Sequence, residues 1–188
     1  MSRWEPNARG RLERAALDLY SERGFEQTTV AEIAKRAGLT ERTYFRHFAD
    51  KREVLFGGTG PLHDLLMNTV AAVPESTAPI AVVTAALDAV AAVFQGRHAH
   101  SRKRQAVIVA NPELRERELI KMAAWSAALA DALRRRGVAD QAASLAAEAG
   151  IAVFKVAYER WVGEAEDRGL ARLVRESFDE LKAVTVGE

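Results

Sequence analysis

The stretch TTVAEIAKRAGLTERTYFRHFADKREVL, Thr28 to Leu55, decides how this sequence folds. Thr29 and Glu32 are spaced as a capping box, in which each side chain satisfies the other residue's unpaired backbone N–H, so a helix opens at Val30. Val30, Ile33, Ala34 and Ala37 recur at helical spacing and form its buried stripe. Gly38 ends the helix, since a left-handed stop suits glycine, and Leu39 plugs the core. Thr40 then caps another helix of about seven residues, and two helices joined by so short a turn make a helix-turn-helix. Asp50-x-x-Glu53 reads as a second capping box that stops the short helix and starts a fourth.

Working outward, ARGRLERAALDLYSERGF places Leu12, Ala16, Leu19 and Tyr20 on one helical face, with Asn7 as its cap and Gly24 as its stop. A seven-residue helix is marginal alone, so the third helix must be held by side chains. Phe45 and Phe48 are expected to pin it to the first two, leaving Glu41, Arg42, Thr43, Arg46 and His47 outward. That face suits a helix in a major groove. Arg42 can reach guanine acceptors, Thr43 a thymine methyl or a phosphate, and Arg46, His47 and Lys51 the backbone.

Composition narrows the alternatives. The 188 residues carry a net charge of only +1, but residues 1–52 hold 11 Lys+Arg against 8 Asp+Glu while the remainder holds 16 against 18. A mildly basic front fits nucleic-acid contact at that end. The chain has no cysteine, which excludes disulfides, thiol nucleophiles and thiolate metal sites. Neither a signal peptide nor an unbroken apolar run of membrane length is evident, so a cytoplasmic protein with no membrane partner is expected. GxSxG, HExxH, GxxxxGK[ST] and Glu-x-x-His motifs are missing, so no catalytic residue and no cofactor are assigned.

Over about residues 8 to 56 the chain resembles the DNA-binding signature of TetR-type transcriptional regulators, carried by GFEQTTVAEIAKRAGLTERTYFRHFADKREVL. The resemblance implies an all-α fold with a helix-turn-helix head, residues 1–52, followed by a larger ligand-binding and dimerisation bundle, residues 53–188. It places Thr43, Phe45, His47 and Lys51 against DNA, with Thr28 or Thr29 on a phosphate. The family usually has Tyr where this chain has Phe45, and Tyr44 is the neighbouring candidate to supply the missing hydroxyl.

Beyond Phe56 the sequence FGGTGP, Phe56 to Pro61, breaks the expected fourth helix and suggests a loop or hinge. PLHDLLMNTVAAV continues helically to Val73, and an apolar helix follows from about Ile80 to Gln95. GRHAHSRKRQ, Gly96 to Gln105, reads as a solvated basic segment; His98 and His100 face different ways at i,i+2, so no metal site is assigned. Pro112 opens a long helix that Gly137 ends. In the last two helices Ala143, Ala147, Gly150, Phe154, Tyr158 and Trp161, then Leu170, Val174, Phe178 and Leu181, form apolar stripes suited to a dimer interface or to internal core. Leu66, Met67, Phe94, Ile108, Met122, Trp125, Ile151 and Phe154 are candidate pocket liners, with Asn111 and Glu148 as polar anchors, if the bundle holds an apolar or amphipathic ligand.

These readings converge on a homodimeric repressor that binds a palindromic double-stranded operator and is released by a small-molecule inducer. The alternatives are a DNA-binding regulator without a ligand and, more remotely, an all-helical enzyme using His63 or His100.

Overall fold

A computed structural model describes residues 7–57 and 59–186. Its helices are α1 (Ala8–Arg23), α2 (Val30–Arg36), α3 (Glu41–His47), α4 (Thr59–Ala72), α5 (Pro79–Ala92), α6 (His98–Ala110), α7 (Pro112–Arg135), α8 (Asp140–Gly163) and α9 (Leu170–Val186), with one 3-10 turn at Glu53–Leu55. No strand occurs among the described residues, and none of their helices is long and apolar enough to cross a membrane. The chain forms two compact units, a head that runs to Thr59 and adds Lys103–Glu118, and a body of Gly60–Arg102 and Leu119 onward.

The head follows its capping signals closely. Asn7, in a left-handed conformation with φ 72°, accepts the Gly10 N–H at 2.9 Å and opens α1. Gly24, φ 92°, closes it. Both halves of the Thr29–Glu32 box are present, and Thr40 caps α3 through the Thr43 N–H at 3.2 Å. The core joins Leu12, Leu19, Tyr20, Phe25, Ile33 and Phe48, as the helical spacing requires.

Three expectations about the head are corrected. Tyr44, fully buried, pins α3 together with Phe48, whereas Phe45 is 54% exposed. One residue is a 100° rotation on a helix, so Tyr44 and Phe45 cannot share a face. The Asp50–Glu53 box is answered on one side: Asp50 accepts the Glu53 N–H at 3.0 Å, but only a 3-10 turn follows. The helix resumes at Thr59, so the break in FGGTGP is present; Gly58 within it lies outside the described residues. Residue 52 is not the boundary of the compact head, which instead incorporates Val107, Ile108 and Leu114 from α6 and α7 into its core.

The body packs α5, α8 and α9 around one apolar core containing Leu66, Val83, Leu87, Leu129, Phe154 and Trp161. Gly150 lets α8 approach α5 closely: a Cβ there would lie far inside van der Waals contact with Val83 Cγ1 and 3.2 Å from Leu87 Cδ1. His98 also belongs to this interior, with Nε2 2.8 Å from the Trp161 carbonyl, so GRHAHSRKRQ is not a uniformly solvated segment.

The stripes read as a dimer interface are mostly internal. Ala143, Ala147, Gly150, Phe154, Trp161, Leu170, Val174 and Phe178 are buried within the single chain, and only Tyr158 and Leu181 are partly open. Their periodicity served packing between helices of one chain, which produces the same apolar pattern as packing between chains.

Candidate nucleic-acid interface

The short helix α3 and the turn after it are held from beneath by two tyrosines. The Tyr44 hydroxyl donates to the Asp50 carbonyl at 3.0 Å, and the Tyr20 hydroxyl donates to the Lys51 carbonyl at 2.6 Å. Burial raises both phenols well above their ordinary ionisation range, so both remain protonated donors. Lys51 closes the turn from the other side. Its Nζ donates to the Phe25 carbonyl at 2.9 Å and sits 4.2 Å from the Phe25 ring centroid.

This arrangement engages three residues of the expected contact set within the head itself. Tyr44 is sealed inside and its hydroxyl is used by Asp50, so it does not replace the hydroxyl missing at Phe45. Thr28 is buried and donates to the Gly24 carbonyl at 2.8 Å. Lys51 is turned inward onto the loop before α2, where a phosphate would have to compete with three carbonyls. Thr29 stays at the surface, but its hydroxyl is already shared with Glu32 at 2.9 Å.

What faces out from α3 is Glu41, Arg42, Phe45 and Arg46, with Thr43 and His47 half-buried beside them. Glu41 in the first turn favours this short helix electrostatically. Several other cations of the head are matched: Arg23 with Glu32 at 3.1 Å, Arg36 with Glu22 at 2.8 Å, Arg52 with Asp50 at 2.8 Å and Lys103 with Asp18 at 2.5 Å. Hydrogen bonds from Arg36 hold the Glu22 carboxyl below its ordinary range, and the Thr29 backbone and hydroxyl do the same for Glu32. Arg42 and Arg46 enter no ion pair or hydrogen bond among the described residues. The head's uncompensated positive charge therefore includes both arginines of α3. His47 Nε2 is shielded from water and also without a partner, a position from which it can donate to an anion that approaches the helix.

Sequence spacing missed the roles of Tyr20 and Asp50. Tyr20 registers there only as an apolar position in α1, because its hydroxyl acts on a backbone carbonyl 31 residues away.

The pocket candidates separate between the units. Leu66, Trp125, Ile151 and Phe154 are buried in the body, with Met67, Phe94 and Met122 partly buried against them. Ile108 and Asn111 do not join them: Ile108 is head core, and Asn111 donates to the Val107 carbonyl at 2.6 Å to finish α6. Glu148 is exposed and accepts the Ser126 hydroxyl at 2.7 Å.

A helix-turn-helix head with this presentation matches the family model described as bacterial regulatory proteins, tetR family, over residues 13–56, and residues 77–185 match the MftR C-terminal domain. The chain belongs to the TetR family. This TetR-family regulator is 29% identical over 171 residues to the putative mycofactocin biosynthesis transcriptional regulator MftR of Mycobacterium tuberculosis, covering 87% of this chain and 84% of that protein. It is 34% identical over 82 residues to the regulator TcmR of Streptomyces glaucescens, covering 44% and 36%. Among solved structures, FadR of Thermus thermophilus in complex with lauroyl-CoA aligns with a TM-score of 0.57 at 24% identity, over 96% of each chain. FadR of Bacillus subtilis with stearoyl-CoA aligns at 0.63 and 18% identity, over 92% and 96%. At these identities the two structures establish the all-helical fold of a TetR-family protein. The protein is accordingly a DNA-binding transcription regulator.

Proposed function

We propose that this regulator is a cytoplasmic homodimeric repressor that reads a palindromic operator through α3 and is released by a small apolar or amphipathic ligand. The observation that carries the reading is the unpaired Arg42–Arg46 face on a helix clamped by Tyr20 and Tyr44. Rigid presentation of two free guanidiniums, with Thr43 and Phe45 beside them, provides base-edge and phosphate contacts together. Two copies related by a two-fold axis read two half-sites, which makes the operator palindromic.

The surface proposed for dimerisation is the outward side of α8. Leu145 and Val156 are 63% and 59% exposed, and Ala149 and Ala152 fill the intervening turns of the same stripe. Small residues between two large ones permit close helix approach, and burial of this face in a pair removes apolar area from water. For the ligand, the apolar interior of the body supports a hydrophobic molecule, and two structural neighbours are described as acyl-CoA complexes. A ligand that prefers the conformation unable to bind DNA opposes operator binding by the same coupling free energy with which DNA opposes the ligand.

Selection of genomic fragments on the purified protein, followed by sequencing, tests the central claim. Enrichment of one inverted repeat is expected. A Leu145→Glu variant that sediments as a monomer should lose the full-length repeat while retaining weak half-site binding. No sequence-selective complex at physiological salt would sink the reading.

A further inference from the structure

Trp125 lies on α7 within the body, 97% buried in the sense that only 3% of it is exposed, with its ring centroid 6.2 Å from that of Phe154. Its indole Nε1–H has no acceptor. The same unit treats its other buried tryptophan differently: Trp161, fully buried, donates from Nε1 to Asp167 Oδ1 at 2.8 Å. Ser126, next to Trp125 and also buried, places its hydroxyl on Glu148 at 2.7 Å. A buried donor gives up its water and is ordinarily given a protein acceptor in exchange, so an orphan indole N–H marks a place where an acceptor belongs.

We propose that Trp125 Nε1–H is the polar anchor of the body's ligand site and that the ligand is an apolar molecule bearing a neutral carbonyl acceptor, such as a ketone, ester, amide or thioester. The assignment rests on the ligand reading given above and adds the chemical class. Phe154 is stacked on Tyr158 at 6.3 Å, and Phe94 meets Tyr158 edge-on at 5.8 Å, so aromatic surface adjoins the donor. An uncharged N–H supplies one directional bond but no charge to offset a buried carboxylate. An ammonium head has no lone pair to offer the indole. Both charged classes are therefore disfavoured relative to a neutral carbonyl compound.

Butyrophenone and butylbenzene, which differ by one carbonyl, serve as probes for calorimetric titration of the full-length wild type and of Trp125→Phe. The phenyl ring keeps the apolar body and deletes the donor. Loss of one net hydrogen bond should weaken butyrophenone by about tenfold in the variant, while butylbenzene changes by less than about twofold. In the wild type, the Trp125 indole proton should move downfield in the NMR spectrum with butyrophenone and not with butylbenzene, which decides the matter even if the variant fails to fold. Equal effects of the substitution on both probes, or an indole resonance indifferent to the ketone, would overturn the anchor while leaving a ligand site. Binding of neither probe by the wild type would overturn the ligand reading and the anchor with it.

Discussion

Gly150→Ala should destabilise the body although alanine is the better helix former. In an exposed helix interior the exchange gains about 1 kcal/mol, because glycine loses more backbone entropy on folding. Here the added methyl would stand far inside contact with Val83 Cγ1, on a fully buried β-branched side chain, and 3.2 Å from Leu87 Cδ1. Valine on a helix has one strongly preferred rotamer, so Val83 yields only by moving α5 or leaving that rotamer. Overpacking of a rigid core site costs about 1–3 kcal/mol, and the severity of this overlap places it near the upper end. Subtracting the propensity gain leaves a net loss of about 2 kcal/mol. Val83→Ala alone should also destabilise, by about 2 kcal/mol for two buried methyls plus the space they leave. The double variant places the new methyl where the old one was, so it should be more stable than either single variant. Urea unfolding followed by helical circular dichroism and tryptophan fluorescence reads all four proteins. A neutral or stabilising Gly150→Ala, or losses that add within about 0.5 kcal/mol, would refute the α5–α8 contact as the reason for glycine at 150.

Arg42→Ala should weaken operator binding by about 1–3 kcal/mol and relax base preference at one position of each half-site, whereas Arg46→Ala should weaken all sequences alike and lower the salt slope by about 0.9 per head. Band shifts across a salt series on randomised half-sites distinguish the two, and identical slopes for all three proteins would remove Arg46 from the phosphate. Tyr44→Phe leaves the Asp50 carbonyl without its donor and should cost about 1–3 kcal/mol of head stability; an unchanged unfolding midpoint would show that the hydroxyl is not what holds the turn. Glu32 has its carboxyl held below the ordinary value of 4.5 chiefly by the Thr29 N–H, so its contribution is present at neutral pH and lost as pH falls through 4.5 toward the folded value. Glu32→Gln should flatten that part of the acid unfolding curve, and a curve parallel to the wild type would count against the capping box as its source.

Local chemistry was the legible part of the sequence. Asn7, Thr29, Glu32 and Thr40 cap the helices they precede because a cap is satisfied by atoms three or four residues away. Side-chain direction on α3 was harder to read, since Tyr44 and Phe45 are adjacent aromatics and only the tertiary partner, the Asp50 carbonyl, determines which turns inward. In α8 and α9 the apolar stripes were found, but not their partners. Ala143, Gly150 and Phe178 could face another chain or α5 with the same periodicity, and the outward stripe of Leu145, Ala149, Ala152 and Val156 was hidden by alanine's mild hydrophobicity. Ile108 and Asn111 look like any other residues of an apolar helix, and nothing within α6 indicates that its second half belongs with the head.

That membership explains why the helix expected at Asp50 does not propagate. Asp50 performs its half of the cap by accepting the Arg52 and Glu53 N–H groups at 2.8 and 3.0 Å, but the Glu53 carboxylate is engaged by Arg117 from α7. Arg104 from α6 occupies the next step: its Nε donates to the Leu55 carbonyl at 2.9 Å, its guanidinium lies 5.0 Å from the Phe56 ring centroid, and its Nη1 meets Glu118 at 3.0 Å. A propagating α-helix would direct the Leu55 carbonyl toward the amide of residue 59. Instead that acceptor is bound by a charged donor 49 residues away, and the Thr59 amide turns to the Phe56 carbonyl at 2.9 Å. A Cβ at Gly57 would lie 2.9 Å from Phe48 Cε1 and closer still to Glu13 and Arg9, and the Gly57 carbonyl is bound by Arg9 of α1. The head thus ends in a turn fastened by arginines from both sides of it in sequence, so Arg104→Ala would act on the DNA-binding unit itself even though position 104 lies far outside the helix-turn-helix.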